Sequence, residues 1–285
     1  MNKADGLLSY IGLVRLKTAV TRGEFFAALF LIACINGLAS QIIQSVNEKG
    51  FAAALLSTFD TSAIVWIACF VGVNLTYQDR CDAIRNRDLA VSLPFLAIVG
   101  LPFAKSSWVG VTGLAVYIIV CAEASSSRLR GAIIFVATAA SMFWSRLFFD
   151  FLSKPILEID AALTAWLRGT DRVGNMVRFA DNSGYLVILP PCSSFGNVSL
   201  AILAWTLVTQ SVGHRWSARD ILWCLLACAA VIAVNVARLS LMATDMNRYG
   251  AVHNEWGNAV VNVIIVMLVI TISALSVRRE LLSHV

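Results

Sequence analysis

Charged residues are scarce in this chain of 285 residues, because aspartate, glutamate, lysine and arginine together make up 14% of it and hydrophobic residues make up 59%. The mean hydropathy of +0.77 lies outside the usual range of water-soluble globular domains. Such a chain needs lipid as its solvent, which excludes an ordinary soluble enzyme.

Several familiar motifs are also missing. The sequence contains no glycine-rich phosphate-binding loop, no low-complexity tract and no internal repeat. The net charge of +5 is spread through loops without a basic stripe or a nucleic-acid-reading motif, so we expect no nucleic-acid partner. We expect no metal and no other cofactor. The seven cysteines include no Cys-x-x-Cys pair, which argues against a disulfide oxidase.

Apolar runs long enough to cross a bilayer as helices recur along the chain. They predict an all-α polytopic membrane protein with about eight transmembrane helices, forming a single membrane domain over 1–285. Pro94 and Pro102 lie in the short third span, so the third and fourth spans either cross fully or form one re-entrant hairpin. The predicted spans are 25–43, 60–77, 89–103, 108–124, 131–149, 192–210, 221–243 and 257–277.

The start of the chain allows two interpretations. Basic residues precede the first apolar run, which passes through small residues at 37–40, so a cleavable secretory signal is one of them. More spans follow, which favours an uncleaved first helix. Ahead of it, Leu7, Leu8, Ile11 and Val14 recur at helical spacing and predict a short amphipathic segment on the cytoplasmic surface.

Lysine and arginine gather in alternate connections between the spans, which predicts that both termini lie in the cytoplasm. We expect a multi-pass protein of the inner or cytoplasmic membrane. The N-terminal spans then occupy 24–149, and 150–191 forms a long extracytoplasmic connection. Apolar residues at helical spacing in this connection predict an amphipathic helix, as a lid or substrate platform or, equally, as a surface-lying connector. These residues are Leu152, Ile156, Ile159, Leu163 and Leu167.

Cys192 is the cysteine that calls for a functional interpretation, since most of the others lie inside apolar spans, where a thiol is usually a small hydrophobic group. It follows Pro190 and Pro191 at the predicted outer end of the sixth span. Proline favours a helix start just beyond it, and the positive end of a helix dipole stabilises a thiolate. Taken alone, a cysteine at a helix start is more often structural.

Arg238 strengthens the functional interpretation, because an arginine inside a span is costly and usually has a partner or a function. It lies late in the seventh span, where it either snorkels to headgroups or joins Asn235, three residues earlier, in an inward polar patch. His253 precedes the last span and is the one histidine predicted on the outer face. A thiol, an imidazole and a guanidinium at one face supply a nucleophile, an acid/base and an oxyanion stabiliser. The C-terminal spans, 192–277, are therefore predicted to carry a catalytic site.

The order of these pieces resembles the exosortase/archaeosortase family. The matching segments are Cys192-Ser193-Ser194-Phe195-Gly196, Asn235-Val236-Ala237-Arg238 and His253. In the commoner pattern glycine follows the Cys-Ser pair directly, whereas here Ser194 and Phe195 come between. The motifs cover the C-terminal third of the chain, and the predicted topology covers all of it.

The resemblance implies a membrane cysteine peptidase or transpeptidase that cleaves PEP-CTERM-like C-terminal sorting signals of exported, membrane-anchored proteins, often alongside exopolysaccharide machinery. It makes Cys192 the nucleophile, His253 the acid/base and Arg238 the oxyanion stabiliser, with Asn235 and Ser193 in support. Two other functions fit the residues. A thiol acyltransferase would use the same nucleophile, and a transporter or polysaccharide-assembly partner would line a solute path with Asn235 and Arg238.

Overall fold

The computed structural model describes residues 20–79, 82–101, 103–121, 126–214 and 216–278. The amphipathic segment predicted ahead of the first span lies outside these residues. Contacts divide the chain into two compact units, which we describe separately. One holds the described residues of Met1–Asp60 and Cys69–Ala132, and the other holds those of Thr61–Ala68 and Ile133–Val285.

Each predicted span overlaps a helix, and the fifth, 131–149, overlaps two helices and the turn between them. In chain order the helices are α1 (Arg22–Lys49), α2 (Phe51–Leu56), α3 (Ala63–Gln78), α4 (Asn86–Val99), α5 (Ala104–Cys121), α6 (Ser127–Ala139), α7 (Ser145–Arg168), α8 (Ser194–Ser211), α9 (Ala218–Met242), α10 (Met246–His253) and α11 (Glu255–Ser276). A π-helical turn, Ala140–Trp144, joins α6 to α7, and 3-10 turns occupy Thr58–Asp60 and Pro190–Cys192.

Within the described residues, four helical segments are long and apolar enough to cross a membrane. They are Arg22–Lys49, the continuous helix Ser127–Arg168, Ala218–Met242 and Trp256–Ser276. Ala63–Gln78 and Lys105–Cys121 are shorter apolar helices. The architecture is that of an all-α membrane protein, while the number of spans and their sidedness stay predictions.

The first unit is tied together by a buried ion pair at the start of α1. Arg22, 1% exposed, donates through Nε and Nη2 to the two carboxylate oxygens of Asp88, each at 2.8 Å. The Tyr117 hydroxyl donates to the same carboxylate at 2.7 Å. Removing one partner of such a pair strands a buried charge, at a cost of about 3–5 kcal/mol. Arg22 is therefore a structural residue as well as one of the basic residues ahead of the first predicted span.

The predicted amphipathic helix is part of α7, which continues from the fifth predicted span instead of standing alone. Pro155 lies inside α7 and Leu152 has non-helical backbone angles, because proline removes a helical hydrogen bond and crowds the preceding turn. The predicted apolar stripe faces outward, with Ile159 59% exposed. The buried face carries Leu157, Asp160, Ala161, Thr164 and Ala165.

A small antiparallel sheet follows α7, where the sequence pattern predicts no strand. Its strands β1 (Arg172–Val173), β2 (Met176–Arg178) and β3 (Tyr185–Val187) lie in the order β1-β2-β3. Val177 pairs with Leu186, and both side chains are buried. The sheet therefore contributes one apolar face to the core of the second unit.

The core of the second unit joins this sheet to the helices that follow. Helix α9 packs against α8, α11 and α7. An apolar cluster, here called the Cys192 cluster, contains Cys192 and buried residues of α7, the sheet and α9, and Tyr249 and Val252 pack against it. Its buried members are Leu157, Ala161, Ala165, Val177, Phe179, Leu186, Ile188, Cys192, Leu239, Met242 and Ala243.

Candidate functional site

Cys192 closes the 3-10 turn Pro190–Cys192 directly ahead of α8. Ser193 is the N-cap of α8, and its hydroxyl accepts a hydrogen bond from the Phe195 N–H at 3.2 Å. The thiol residue thus lies one position before the cap. Its side chain is 9% exposed, within the Cys192 cluster. Movement of the surrounding side chains is needed before a peptide can reach the sulfur.

Asp160 of α7 holds the Cys192 segment from one side. One carboxylate oxygen, Oδ2, accepts the Ser193 hydroxyl at 2.8 Å and the Ser194 N–H at 3.0 Å. The residue is 3% exposed. Since Asp160 accepts the N–H of Ser194, the first residue of α8, it shares the positive end of the helix dipole with Cys192. The predicted supporting residue Ser193 therefore acts on Asp160 and the helix start.

Asn235 of α9 holds the segment from the other side. Its amide Nδ2 donates to the Cys192 carbonyl at 2.9 Å and to the Ser194 hydroxyl at 3.0 Å. The residue is 1% exposed. Its Oδ1 is buried without a hydrogen-bond partner among the residues that the structure describes. A buried acceptor left in this state costs about 1–3 kcal/mol, so this oxygen calls for an explanation.

Arg238 follows Asn235 by three residues, so both lie on one face of α9. Its guanidinium Nη2 donates to Oδ1 of Asn258, in the first turns of α11. Nε of Arg238 is buried without a partner within the described part of the chain. Arg238 thus binds a neighbouring helix through one nitrogen and keeps a second donor unused beside Asn235.

His253 ends α10 and its side chain is exposed. The imidazole stacks on the Tyr249 ring, with centroids 5.0 Å apart and planes at 17°. Tyr249 packs against the Cys192 cluster, which places His253 at its edge. Among the described residues, the imidazole makes no hydrogen bond to Cys192 or Arg238.

Asn258 connects His253 to Arg238 by a different route. Its Nδ2 donates to the His253 carbonyl at 3.3 Å, while its Oδ1 accepts from Arg238. The structure therefore joins Cys192 to Asn235 directly and joins Arg238 to the main chain of His253 through Asn258. The three predicted residues meet at one end of α8, α9 and α11, but the imidazole and the thiol do not touch.

Sequence reasoning missed two residues of this site. Asp160 lies 32 positions before Cys192 in a segment interpreted only by its apolar stripe, although an acid between Ile159 and Leu163 on that helix is a visible signal. Asn258 lies five residues after His253, inside the last predicted span. An asparagine inside an apolar span usually has a partner or a function, so it is a second signal of the site.

The chain was compared with protein-family models, with curated proteins and with solved structures, and none of the three comparisons gives a match. The interpretation of this site therefore depends on its own geometry and on the motifs in the sequence.

Proposed function

We propose that this protein is a membrane cysteine peptidase or transpeptidase that cleaves C-terminal sorting signals of exported proteins. In this proposal Cys192 is the nucleophile, Arg238 stabilises the oxyanion and His253 transfers protons. Asn235 and Asp160 fix the main chain of the nucleophile segment. The reaction takes place at the predicted extracytoplasmic face of an eight-span protein of the cell membrane.

The observation that carries this proposal is a pair of unused polar atoms on the face of α9 from which Asn235 binds the Cys192 carbonyl. Oδ1 of Asn235 accepts a hydrogen bond and Nε of Arg238 donates one, and both atoms are buried without partners among the described residues. A peptide unit offers one N–H donor and one carbonyl acceptor. A substrate strand laid along this face of α9 satisfies both atoms, whereas an apolar acyl chain satisfies neither.

The chemistry then follows in two steps. The Cys192 thiolate attacks the scissile carbonyl carbon, and the developing oxyanion accepts a hydrogen bond from the Arg238 guanidinium. Collapse of the tetrahedral intermediate breaks the C–N bond, and protonated His253 gives its proton to the leaving amine. Water or an acceptor amine, deprotonated by His253, resolves the thioester and returns the Cys192 thiolate beside protonated His253.

A conformational step has to precede attack. Tyr249 and Val252 of α10 pack against the Cys192 cluster, and the His253 ring is stacked on Tyr249. In our proposal α10 shifts as the substrate enters, exposing the sulfur and turning the imidazole toward it. Apo sites commonly lack hydrogen bonds that form only in the substrate complex.

An apolar groove beside the nucleophile segment supports a substrate with its own membrane helix. The groove encloses about 210 Å³ in the second unit and is open on one side. Small and aromatic side chains line it together, which suits packing against a helix arriving from lipid. It is lined by residues that include Ala137, Ala140, Trp144, Phe148, Phe195 and Ile202.

The test is co-expression with an exported protein that ends in a short motif, an apolar helix and a basic tail. Cleavage is followed by electrophoresis, and the new C-terminus is identified by mass spectrometry. Our proposal predicts cleavage with wild type and none with Cys192→Ala. A product that carries a transferred lipid or sugar-linked acyl group indicates the acyltransferase instead. Unchanged function after Cys192→Ala indicates the transporter or polysaccharide-assembly partner.

A further inference from the structure

A polar cavity lies at the opposite end of α9 and α11 from Cys192. It has a volume of about 380 Å³, within the range of small-molecule sites. Basic and hydroxyl side chains converge on it from three segments: the connection after α8, the first turn of α9 and the end of α11. Its polar and aromatic lining includes His214, Ser217, Arg219, Trp223, Ser276 and Arg278.

Asp220 is the single carboxylate among the described residues that line this cavity, and it is already used. It accepts the Ser217 N–H at 2.6 Å and the Ser217 hydroxyl at 2.7 Å, and it pairs with His214 Nε2 at 2.9 Å. Asp220 also completes the capping box of α9. The helix start is thereby satisfied within the protein, and a ligand would be recognised by the side chains.

The two arginines of the cavity are left for that role. Arg219 and Arg278 are exposed, and neither makes an ion pair with another of the described residues. Arginine in pairs favours phosphate, because its planar fork of N–H donors matches phosphate oxygens. Hydroxyls of Ser217 and Ser276 add donors of the kind that phosphate also accepts.

The surroundings of this cavity have features expected at the level of lipid headgroups. It lies at the ends of two helices that are apolar and long enough to cross a membrane, Ala218–Met242 and Trp256–Ser276. Directly beyond it on α9, Ile221 and Leu222 are more than 60% exposed, as lipid-facing residues would be. Trp216 and Trp223 flank this level, where interfacial tryptophans gather.

We propose that this cavity binds the phosphate group of an anionic ligand, which an anionic phospholipid of the surrounding leaflet or a soluble phosphate compound supplies. Arg219 and Arg278 hold the phosphate oxygens, and Trp223 covers one side. The position at the end of α9 and α11 favours the lipid. This site is independent of the peptidase proposed above, since none of its residues belongs to the Cys192 cluster.

The test uses the purified full chain in detergent and native mass spectrometry. Phosphatidylglycerol, zwitterionic phosphatidylcholine and inorganic phosphate are titrated separately. Variants Arg219→Gln and Arg278→Gln are compared with Arg87→Gln, a matched control that removes one exposed arginine from the first unit. Circular dichroism and thermal unfolding confirm that each variant is folded.

We expect phosphatidylglycerol to bind more tightly than phosphatidylcholine and each cavity variant to weaken this binding about tenfold, the usual effect of losing one charged hydrogen bond. Arg87→Gln should bind as wild type does. If inorganic phosphate binds with the same dependence on Arg219 and Arg278 and phosphatidylglycerol shows no preference, the phosphate site stands and its ligand is soluble. Equal binding by wild type and both cavity variants, or an equal loss in Arg87→Gln, would overturn the proposal.

Discussion

The side-chain amide of Asn235 donates a hydrogen bond of 2.9 Å to the main-chain carbonyl of Cys192. This contact fixes Cys192, two residues before α8, to a neighbouring helix, and Asp160 of α7 fixes Ser193 and Ser194. The segment is thus held at three consecutive positions. Such double anchoring is what a nucleophile needs if its sulfur must meet a carbonyl carbon at a defined distance and angle.

Replacing Asn235 with leucine tests this anchoring. The Cys192 carbonyl and the Ser194 hydroxyl lose their donor, so we expect cleavage of a tagged substrate to fall by up to about a hundredfold, the effect of a misplacement near 1 Å. The measurement is the initial rate in membranes at matched protein levels. Asn86→Leu, at an exposed position in the first unit, is the control and should retain the wild-type rate. A wild-type rate in Asn235→Leu would show that this contact is dispensable.

Asp160→Ala removes the acceptor of two buried donors, the Ser193 hydroxyl and the Ser194 N–H. We expect a loss of stability of about 1–3 kcal/mol for each donor left unpaired. Thermal unfolding in detergent, followed by tryptophan fluorescence, measures it. Asp160→Asn keeps one acceptor oxygen and should lie between wild type and alanine. Glu158→Ala, which removes a less buried acid of the same helix, serves as control. A melting curve for Asp160→Ala that matches this control would be the contrary result.

The link between Arg238 and Asn258 allows a graded prediction. Arg238→Gln removes the proposed oxyanion donor, and loss of one such donor typically lowers the rate by about 10²–10³-fold. Asn258→Ala leaves the guanidinium in place but frees it from α11, so we expect a loss of only about tenfold, one charged hydrogen bond. Single-turnover cleavage distinguishes the two. The order is informative, because a larger effect at Asn258 would assign the main role to the helix contact.

How far the sequence predicts this fold differs between its parts. Long apolar runs separated by charged residues locate α1, α9 and α11, because their helices must satisfy every backbone hydrogen bond internally. The sheet β1–β3 escapes prediction, since its strands have two or three residues and no alternating pattern long enough to recognise. The sequence likewise does not predict that the apolar stripe of α7 faces outward, because this direction depends on how α7 packs against the other elements.

The candidate site divides in the same way. The order of Cys192, Arg238 and His253 and the positive-inside pattern predict a shared end of the helices, and the structure brings these residues to one end of α8, α9 and α11. Side-chain partners could not be predicted. Contact between Asp160 and Ser193 depends on how α7 packs, and the stacking of His253 on Tyr249 depends on the path of a short helix.

The Tyr249 ring stacks on the imidazole of His253. Tyr249→Phe keeps the ring and should cleave substrate at close to the wild-type rate. Tyr249→Leu removes the stacked face, worth about 0.5–1.5 kcal/mol for an aromatic pair, and should lower the rate about two- to tenfold. The measurement is the initial rate of cleavage, determined in parallel for wild type and both variants. Equal rates in the two variants would mean that the stack has no part in the reaction.

The central claim, that Cys192 forms a thioester with the substrate, is tested most directly by trapping. Wild-type protein, co-expressed with a tagged substrate, is quenched in acid, digested and analysed by mass spectrometry, with a duplicate treated with hydroxylamine. Our account predicts a substrate fragment attached to the peptide that contains Cys192, released by hydroxylamine and absent from Cys192→Ala, which leaves the substrate intact. Cleavage that continues in Cys192→Ala would contradict it.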